Sequence, residues 1–539
     1  MKPLVKRNPP LRYAALLAGL VFAVAFIGGS RGRVNAQDPL TPEQRRGKQI
    51  YVLGTSVAGK EILAYIGESS LEVPGSAMAC ASCHGLDGQG KPEGGVNPSN
   101  LTWEALTKPY GVTHADGRKH PPYTERGLEL AINRGTDPAG NRLLNIMPRY
   151  EMSRADLADL IAYLQRLGKD RDPGISEGRI VIGTAGPAKG ALGEMGQAVK
   201  AIHAAFFEEI NSQGGVYSRR LELKVVETGE TANETRANLE RLLKDQQVFA
   251  MTGTFIAGSE KEIIPLMAQQ EVPSIGPFTL YPQTGLPLNR QVFYLLSGID
   301  GQVRALVDFA AKKPEIKSSG VAVLYPTSEL NTSVFEAIKD QSKKAGLGVP
   351  QAFEYVAGRF DVAGAVQQCR QSNRDAVFFL GGSEDAQTFM TEADKLGWFP
   401  GLFLSSSSGV AKIFSSPVGF DGKVFLAFPT TPADQSAEGI KEFRALAEKY
   451  KLPTHHMAAQ LSAFSADKIL VEALRRAGKD LSREKLIQAL EGFYEYPTGL
   501  TRAITYGPNR RIGANGAYIV TIDLKEKTFL PASGWIDIK

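Results

Sequence analysis

Cys80-Ala81-Ser82-Cys83-His84, followed by Gly85, decides how the front of this chain is read. Two cysteines two residues apart, with a histidine next, form the attachment pattern of a c-type haem. The spacing follows from the chemistry. Each thiol adds to a haem vinyl group, and the residue after the second cysteine then lies beneath the porphyrin, where an imidazole can bind iron. Cys80 and Cys83 are therefore expected as the covalent attachments and His84 as the proximal iron ligand. Two other readings use the same residues. A zinc half-site needs further Cys or His ligands at suitable spacing. A redox dithiol does not need the histidine and belongs in a βαβ pattern.

The chain has only three cysteines, and this motif uses two of them. The third, Cys369, falls on the apolar side of an expected helix with Val362 and Val366 and reads as a buried small hydrophobe. Its 539 residues leave room for about three domains. Charged residues are 22% and hydrophobic ones 43%, so most of the chain is expected to be globular. A net charge of +5 is small for this length and, with no basic–aromatic tract, argues against nucleic acid as a partner.

Lys2, Lys6, Arg7 and Arg12 precede an apolar run from Tyr13 to Gly29. This is a charged segment followed by a hydrophobic one, as in an export signal. Val34-Asn35-Ala36 offers small residues for cleavage after Ala36. The run is also nearly long enough to span a bilayer, so residues 1–36 read as a signal peptide or a membrane anchor. Either one places the rest outside the cytoplasm, in the periplasm, where c-type haem is attached.

Thr41-Pro42-Glu43-Gln44 reads as a helix start with a capping box and a proline at the first helical position. The glycines at 85, 88, 90, 94 and 95 form a loop expected to pass close to the porphyrin edge. Met147-Pro148 precedes a second capped helix, with Ser153 and Asp156 at its start. Leu157, Leu160, Ile161, Leu164 and Leu167 make its apolar face. Met147 is the expected distal iron ligand, with Met152, His114 and His120 as competitors. A thioether opposite imidazole favours the ferrous state and marks electron-transfer cytochromes.

With these features, residues 41–168 resemble a class I cytochrome c domain, all-α and carrying one haem c. The resemblance implies that Gly47 and Tyr51 of the first helix meet the Tyr163–Leu164 region of the last. Insertions between Tyr51 and Cys80, and from Asn97 to Pro122, depart from the smallest members.

Lys169 to Gly178 is polar, with Pro and Gly, and reads as a linker. From Arg179 onward, apolar strand runs alternate with helical segments. This pattern predicts a two-lobed α/β region with doubly wound parallel sheets. Gly183 to Gly190 fits neither the dinucleotide nor the P-loop spacing, so phosphate binding is rejected. His455-His456 reads as the surface start of a helix and not as a metal site, because adjacent residues on a helix do not face one way. No nucleophile–base pair is found, and a non-enzymatic chain is expected.

Several stretches carry a second resemblance: Ile180-Val181-Ile182-Gly183 with Gly186-Pro187, Ile210 to Gly215, Thr252 to Gly258, Val272 to Pro277, and the helix Ala458–Arg475. The region resembles the type I periplasmic binding proteins, specifically the branched-chain amino-acid receptors of ABC importers. The resemblance implies three crossovers between lobes, with solute held between them. Lobe one is expected at about 179–299 and 428–539, and lobe two at about 318–427. The positions matching the family's ligand contacts make Phe255, Ser259, Phe278, Thr279, Tyr281, Tyr325 and Ser408 candidate solute contacts, although the aromatics fit a core equally well. Ser408 stands where the family's acid would hold an ammonium, and a buried ammonium without a partner is costly. The expected solute is thus a less polar or anionic organic molecule and not an α-amino acid. The helix start near Ser259 offers N–H groups to an anion.

Together these readings imply an exported single-haem cytochrome fused to a solute-binding domain. It would exchange electrons with a periplasmic dehydrogenase or oxidase, and fusion raises the effective concentration of one domain at the other's partners. The alternative is a receptor delivering to an ABC permease, with the haem as redox modulator.

Overall fold

The computed structural model describes residues 40–538 apart from 91–94, 115, 170, 286 and 407–411. The expected leader, 1–36, lies outside the described residues. Among those described, no helix is long and apolar enough to cross a membrane. The chain divides into two units, 1–170 and 171–539.

In the first unit, the helix Pro42–Leu53 starts as expected. Thr41 and Gln44 close a capping box, and Gly54, at φ 65°, ends it. The helix Arg154–Leu164 is capped by the Ser153 side chain. The two helices cross at Gly47, where an added Cβ would lie 1.9 Å from the Asp159 carbonyl oxygen. Tyr51 is wholly buried one turn on, with its ring 5.6 Å from that of Tyr163. Arg46 clamps the crossing with a two-pronged bond to Asp159 at 2.7 and 2.9 Å. A third helix, Glu125–Arg134, adds Leu128 and Ile132 to the same core. The first insertion is not irregular. It forms Leu63–Ile66 and Leu71–Pro74, which join Arg149–Glu151 in a three-stranded antiparallel sheet.

The polar stretch read as a linker mostly belongs to the second unit. Ile175 is buried there, Gly174 accepts from Val181 N–H, and the Asp172 carboxylate accepts the Arg483 N–H at the start of the helix Arg483–Glu491. Pro and Gly correctly signalled a turn, but that turn is packed.

Two sheets form the second unit. The first is all parallel, in the order Ile512–Ala514, Val292–Leu296, Ser274–Ile275, Ala250–Thr252, Arg179–Gly186, Arg220–Glu227. The second runs Gln351–Tyr355, Val321–Pro326, Ala376–Phe379, Gly401–Ser405, Val424–Phe428, Gly516–Asp523, Thr528–Asp537. Its first five strands are parallel, and the last two are antiparallel. Buried apolar side chains such as Val323, Phe378 and Phe403 fill the strands, as helix-covered parallel sheets require.

This topology corrects the lobe boundaries. The helix Ile299–Ala310 buries its apolar face in the second lobe's core. Gly516–Asp523 pairs with Val424–Phe428, so the last two strands also belong to that lobe. Lobe two therefore takes in 299–428 and 516–538, and lobe one takes 171–298 and roughly 432–514. The third crossover lies at Asn515, between Ile512–Ala514 of lobe one and Gly516–Asp523 of lobe two. Ser297 at the first crossover donates to the Gly516 carbonyl at 2.6 Å, tying two of the three connections together.

Gly47→Val would force the two helices of the first unit apart. Overpacking of this kind costs roughly 1–3 kcal/mol, more than any gain from replacing a helical glycine. Scanning calorimetry should show the first unit's transition moving down while the second unit's stays in place.

Candidate functional site

Residues Cys80–His84 form a single helical turn, and Gly85 ends it at φ 77°. Neither cysteine is in a disulfide; Cys80 is half-buried and Cys83 exposed. Burial pushes the Cys80 thiol up to about 11. His84 is buried, and its Nδ1 lies 2.8 Å from the Ser99 carbonyl oxygen. A carbonyl can only accept, so Nδ1 carries the proton and Nε2 keeps its lone pair. Burial also lowers the pKa of His84, which favours the neutral, ligating form. A metal-binding histidine is normally oriented in this way by its other ring nitrogen.

The surroundings hold the motif in place. The Tyr51 hydroxyl donates to the Gly85 carbonyl at 2.7 Å, and the Tyr150 hydroxyl donates to the Met78 carbonyl at 2.6 Å. Two of the glycines after the motif, Gly88 and Gly90, allow close packing within the protein itself. An added Cβ at Gly88 would meet Leu167 at 2.5 Å, and one at Gly90 would meet the Pro98 carbonyl at 2.3 Å. Gly94 lies outside the described residues. A thiol pair, a neutral imidazole with a free Nε2 and a second soft donor downstream together fit a covalently held haem.

Among the candidates for the distal ligand, His114 and His120 turn towards each other, with their Nε2 atoms 2.9 Å apart. Met152 packs against the helical core. Met147 is half-buried in a tight turn. The Arg149 guanidinium binds the Leu143 carbonyl at 2.9 Å and also reaches the Met147 carbonyl. Pro148 is buried beside it. The Met147 backbone is thus fixed by a cation that the motif did not reveal.

In the second unit, ligands of open α/β sheets bind beyond the carboxyl ends of the strands. Phe255 and Phe278 lie there in lobe one. They are half-buried and stacked at 5.6 Å with an interplanar angle of 21°. Backbone bonds strap their loops together: Phe278 N–H to the Thr254 carbonyl at 2.8 Å, and Ile256 N–H to the Phe278 carbonyl at 3.1 Å.

Ser259 is the buried N-cap of the helix Glu260–Gln269, but its hydroxyl makes no capping bond. The adjoining Glu260 carboxylate, almost fully buried, accepts the Thr279 hydroxyl at 2.6 Å and the Gly258 N–H at 2.9 Å. The chain thus places its own anion where the sequence offered N–H groups to a ligand's anion. Tyr281 is half-buried. Its hydroxyl pKa is raised by desolvation first and by the Glu260 charge second. Tyr325 is not a cleft wall. It is 1% exposed, stacks on Phe335 and donates to Glu354 at 2.8 Å, within the second lobe's core. Ser408 lies outside the described residues.

Beneath the Phe255 loop lies a buried polar group that sequence reasoning missed. His203 Nδ1 is 2.7 Å from Asp467, whose other oxygen accepts the Thr252 hydroxyl at 2.9 Å. All three residues are fully buried. Gly253, at φ 51°, passes directly over His203, and an added Cβ would lie 2.4 Å from Nε2. The only sequence trace is one acid and one imidazole within otherwise apolar helix faces.

A sequence model described as periplasmic binding protein matches residues 179–528. The chain belongs to the periplasmic binding protein family. A second model, described as cytochrome c, matches residues 75–168, so a cytochrome c domain precedes the binding domain and implies haem c. The Leu/Ile/Val-binding protein homolog 8 of Brucella abortus (strain 2308) is 23% identical over 355 residues, covering 62% of this chain and 85% of that protein. An amino acid binding protein of Pseudomonas aeruginosa is 22% identical over 272 residues, covering 50% of this chain and 71% of that one. Among solved structures, a branched chain amino acid ABC transporter protein from Thermus thermophilus with bound valine shares the fold at a TM-score of 0.55 and 18% identity, covering 67% of this chain and 97% of that one. A fatty acid ABC transporter substrate-binding protein from Thermomonospora curvata does so at 0.54 and 18%, covering 68% and 95%.

In this periplasmic binding protein, Asp467→Ala would leave the His203 N–H and the Thr252 hydroxyl without an acceptor. Each such group costs about 1–3 kcal/mol, so urea unfolding should show a loss of roughly 2–6 kcal/mol. Asp467→Asn, which keeps an acceptor, should lose less.

Proposed function

We propose that this is an exported, single-haem electron-transfer cytochrome whose binding domain holds a small, uncharged organic solute. The carrying observation is the His84 imidazole, buried and locked by Ser99 so that Nε2 alone is free. Cys80 and Cys83 are the attachment points, His84 the proximal ligand and Met147 the distal one. Bound there, haem c supplies a one-electron iron couple. A haem held by both His84 and Met147 would have no position left for a substrate, which supports a carrier and not an enzyme. The family's usual location and the charged–apolar leader both support the periplasm.

Glu260 supports the choice of solute. Its carboxylate already takes the Thr279 hydroxyl and the Gly258 N–H, so a second carboxylate arriving there would meet a like charge in a buried setting. The Phe255–Phe278 stack offers an apolar face beside it. The redox partner is a periplasmic dehydrogenase or oxidase. A second reading, a receptor for an ABC permease with the haem as modulator, draws on the two ABC transporter structures that share the fold.

Two measurements on the mature full-length protein test this proposal. Met147→Ala should abolish the sulfur-to-iron charge-transfer band, lower the potential by on the order of 100 mV or more, and let carbon monoxide bind the ferrous form. An unchanged spectrum and potential would remove Met147 as ligand. A thermal-shift screen should show saturable stabilisation by uncharged alcohols, esters or aromatics, because ligand binding stabilises by mass action. Stabilisation by carboxylates or amino acids alone would overturn the solute class. A shift that differs between oxidised and reduced protein would favour the receptor reading.

A further inference from the structure

His455 and His456 do not lie on a helix. They precede Met457–Ala477, and His456 adopts a left-handed conformation at φ 53°, ψ 38°. That backbone reversal removes the objection that neighbouring helical residues face apart. The two rings stand 5.1 Å apart. Glu194, in the first turn of the helix Gly193–Ser212, brings a carboxylate oxygen to 3.9 Å from His456 Nε2. One donor atom from each of the three residues lies within 4.8 Å of the others.

Two further observations favour a built site. Gln460 is fully buried, and its side-chain amide donates to the carbonyls of Pro453 at 2.7 Å and His455 at 2.8 Å, fixing the backbone that carries the imidazoles. A cavity of about 560 Å³, lined by Lys189, Glu194, Gln197 and His455 among others, opens beside the cluster. It leaves room for solvent or an exogenous ligand at the remaining positions of an ion. We propose that Glu194, His455 and His456 bind a divalent transition-metal ion. Two imidazoles and one carboxylate suit zinc, nickel or copper, whereas magnesium and calcium prefer all-oxygen sites. The ion would tie the segment before Met457 to the first turn of Gly193–Ser212. Among the described residues, the carboxylates beside the other imidazole pair, His114–His120, are both engaged: Asp116 by Arg118, and Asp137 by Arg118, Asn141 and two backbone N–H groups.

The test is a calorimetric zinc titration of the full-length, haem-loaded protein, with copper(II) paramagnetic resonance as a second readout. Because all three side chains are exposed, their substitution should leave the fold intact, which circular dichroism verifies. The proposal expects affinity to fall at least tenfold in His455→Ala and in His456→Ala, and severalfold in Glu194→Gln. His114→Asn should leave it unchanged, and the copper spectrum should show coupling to two nitrogens. No zinc binding, binding indifferent to His455 and His456, or binding lost only in His114→Asn would each overturn it.

Discussion

A single hydrogen bond, from His84 Nδ1 to the Ser99 carbonyl, carries the first unit. It fixes the tautomer, and burial favours the neutral ring. The remaining architecture holds that ring in place. The Tyr51 hydroxyl grips the carbonyl of Gly85, next to the histidine, and Tyr51 is held in turn by the crossing at Gly47. The crossing is only as close as a missing Cβ permits, and Arg46–Asp159 clips it at the edge. The chemical motif and the helix packing are thus one connected mechanical unit.

The binding domain is governed by how polar groups are satisfied at the strand ends. Glu260 and the His203–Asp467–Thr252 group place charge and hydrogen bonds around the two loops that bear Phe255 and Phe278. Hydrogen-bonded polar groups buried in this way rigidify what they touch, although His203 Nε2 has no partner among the described residues. Lobe one therefore presents a preformed face: an aromatic stack with a carboxylate behind it. A solved structure named for a branched chain amino acid transporter shares the fold. Glu260 argues against a carboxylate at that helix start, and the aromatic stack beside it offers an apolar face.

Much of this was legible in the sequence, and what escaped it did so for definite reasons. Cys80, Cys83 and His84 are a contiguous motif. The helix starts at Thr41 and Ser153 follow local capping rules, and the strand–helix alternation after Arg179 follows hydrophobic periodicity. Local signals of this kind survive folding. The Ser99 carbonyl and the His203–Asp467 pair are distant in sequence, and the Arg149 grip on the Met147 turn, although local, follows no special residue pattern. The return of Gly516–Asp537 to the second lobe is a matter of topology, and its strand pattern is the same whichever sheet it joins. Tyr325 was misplaced because an aromatic in a buried strand lines the core or the cleft according to the face it takes. In sequence the helix start near Ser259 is open to an anion, and no local pattern shows that Glu260 fills it. Its own carboxylate folding back onto Gly258 and Thr279 is what closes that site.

The central claim is that one haem is covalently held through Cys80 and Cys83, with His84 beneath it. The most direct measurement is the haem content of the mature polypeptide after acid-acetone extraction, following expression with a c-type maturation system. The account predicts one haem per chain retained by the polypeptide, and none retained by the Cys80→Ser/Cys83→Ser double variant. A colourless chain, or pigment that extracts freely, would contradict it.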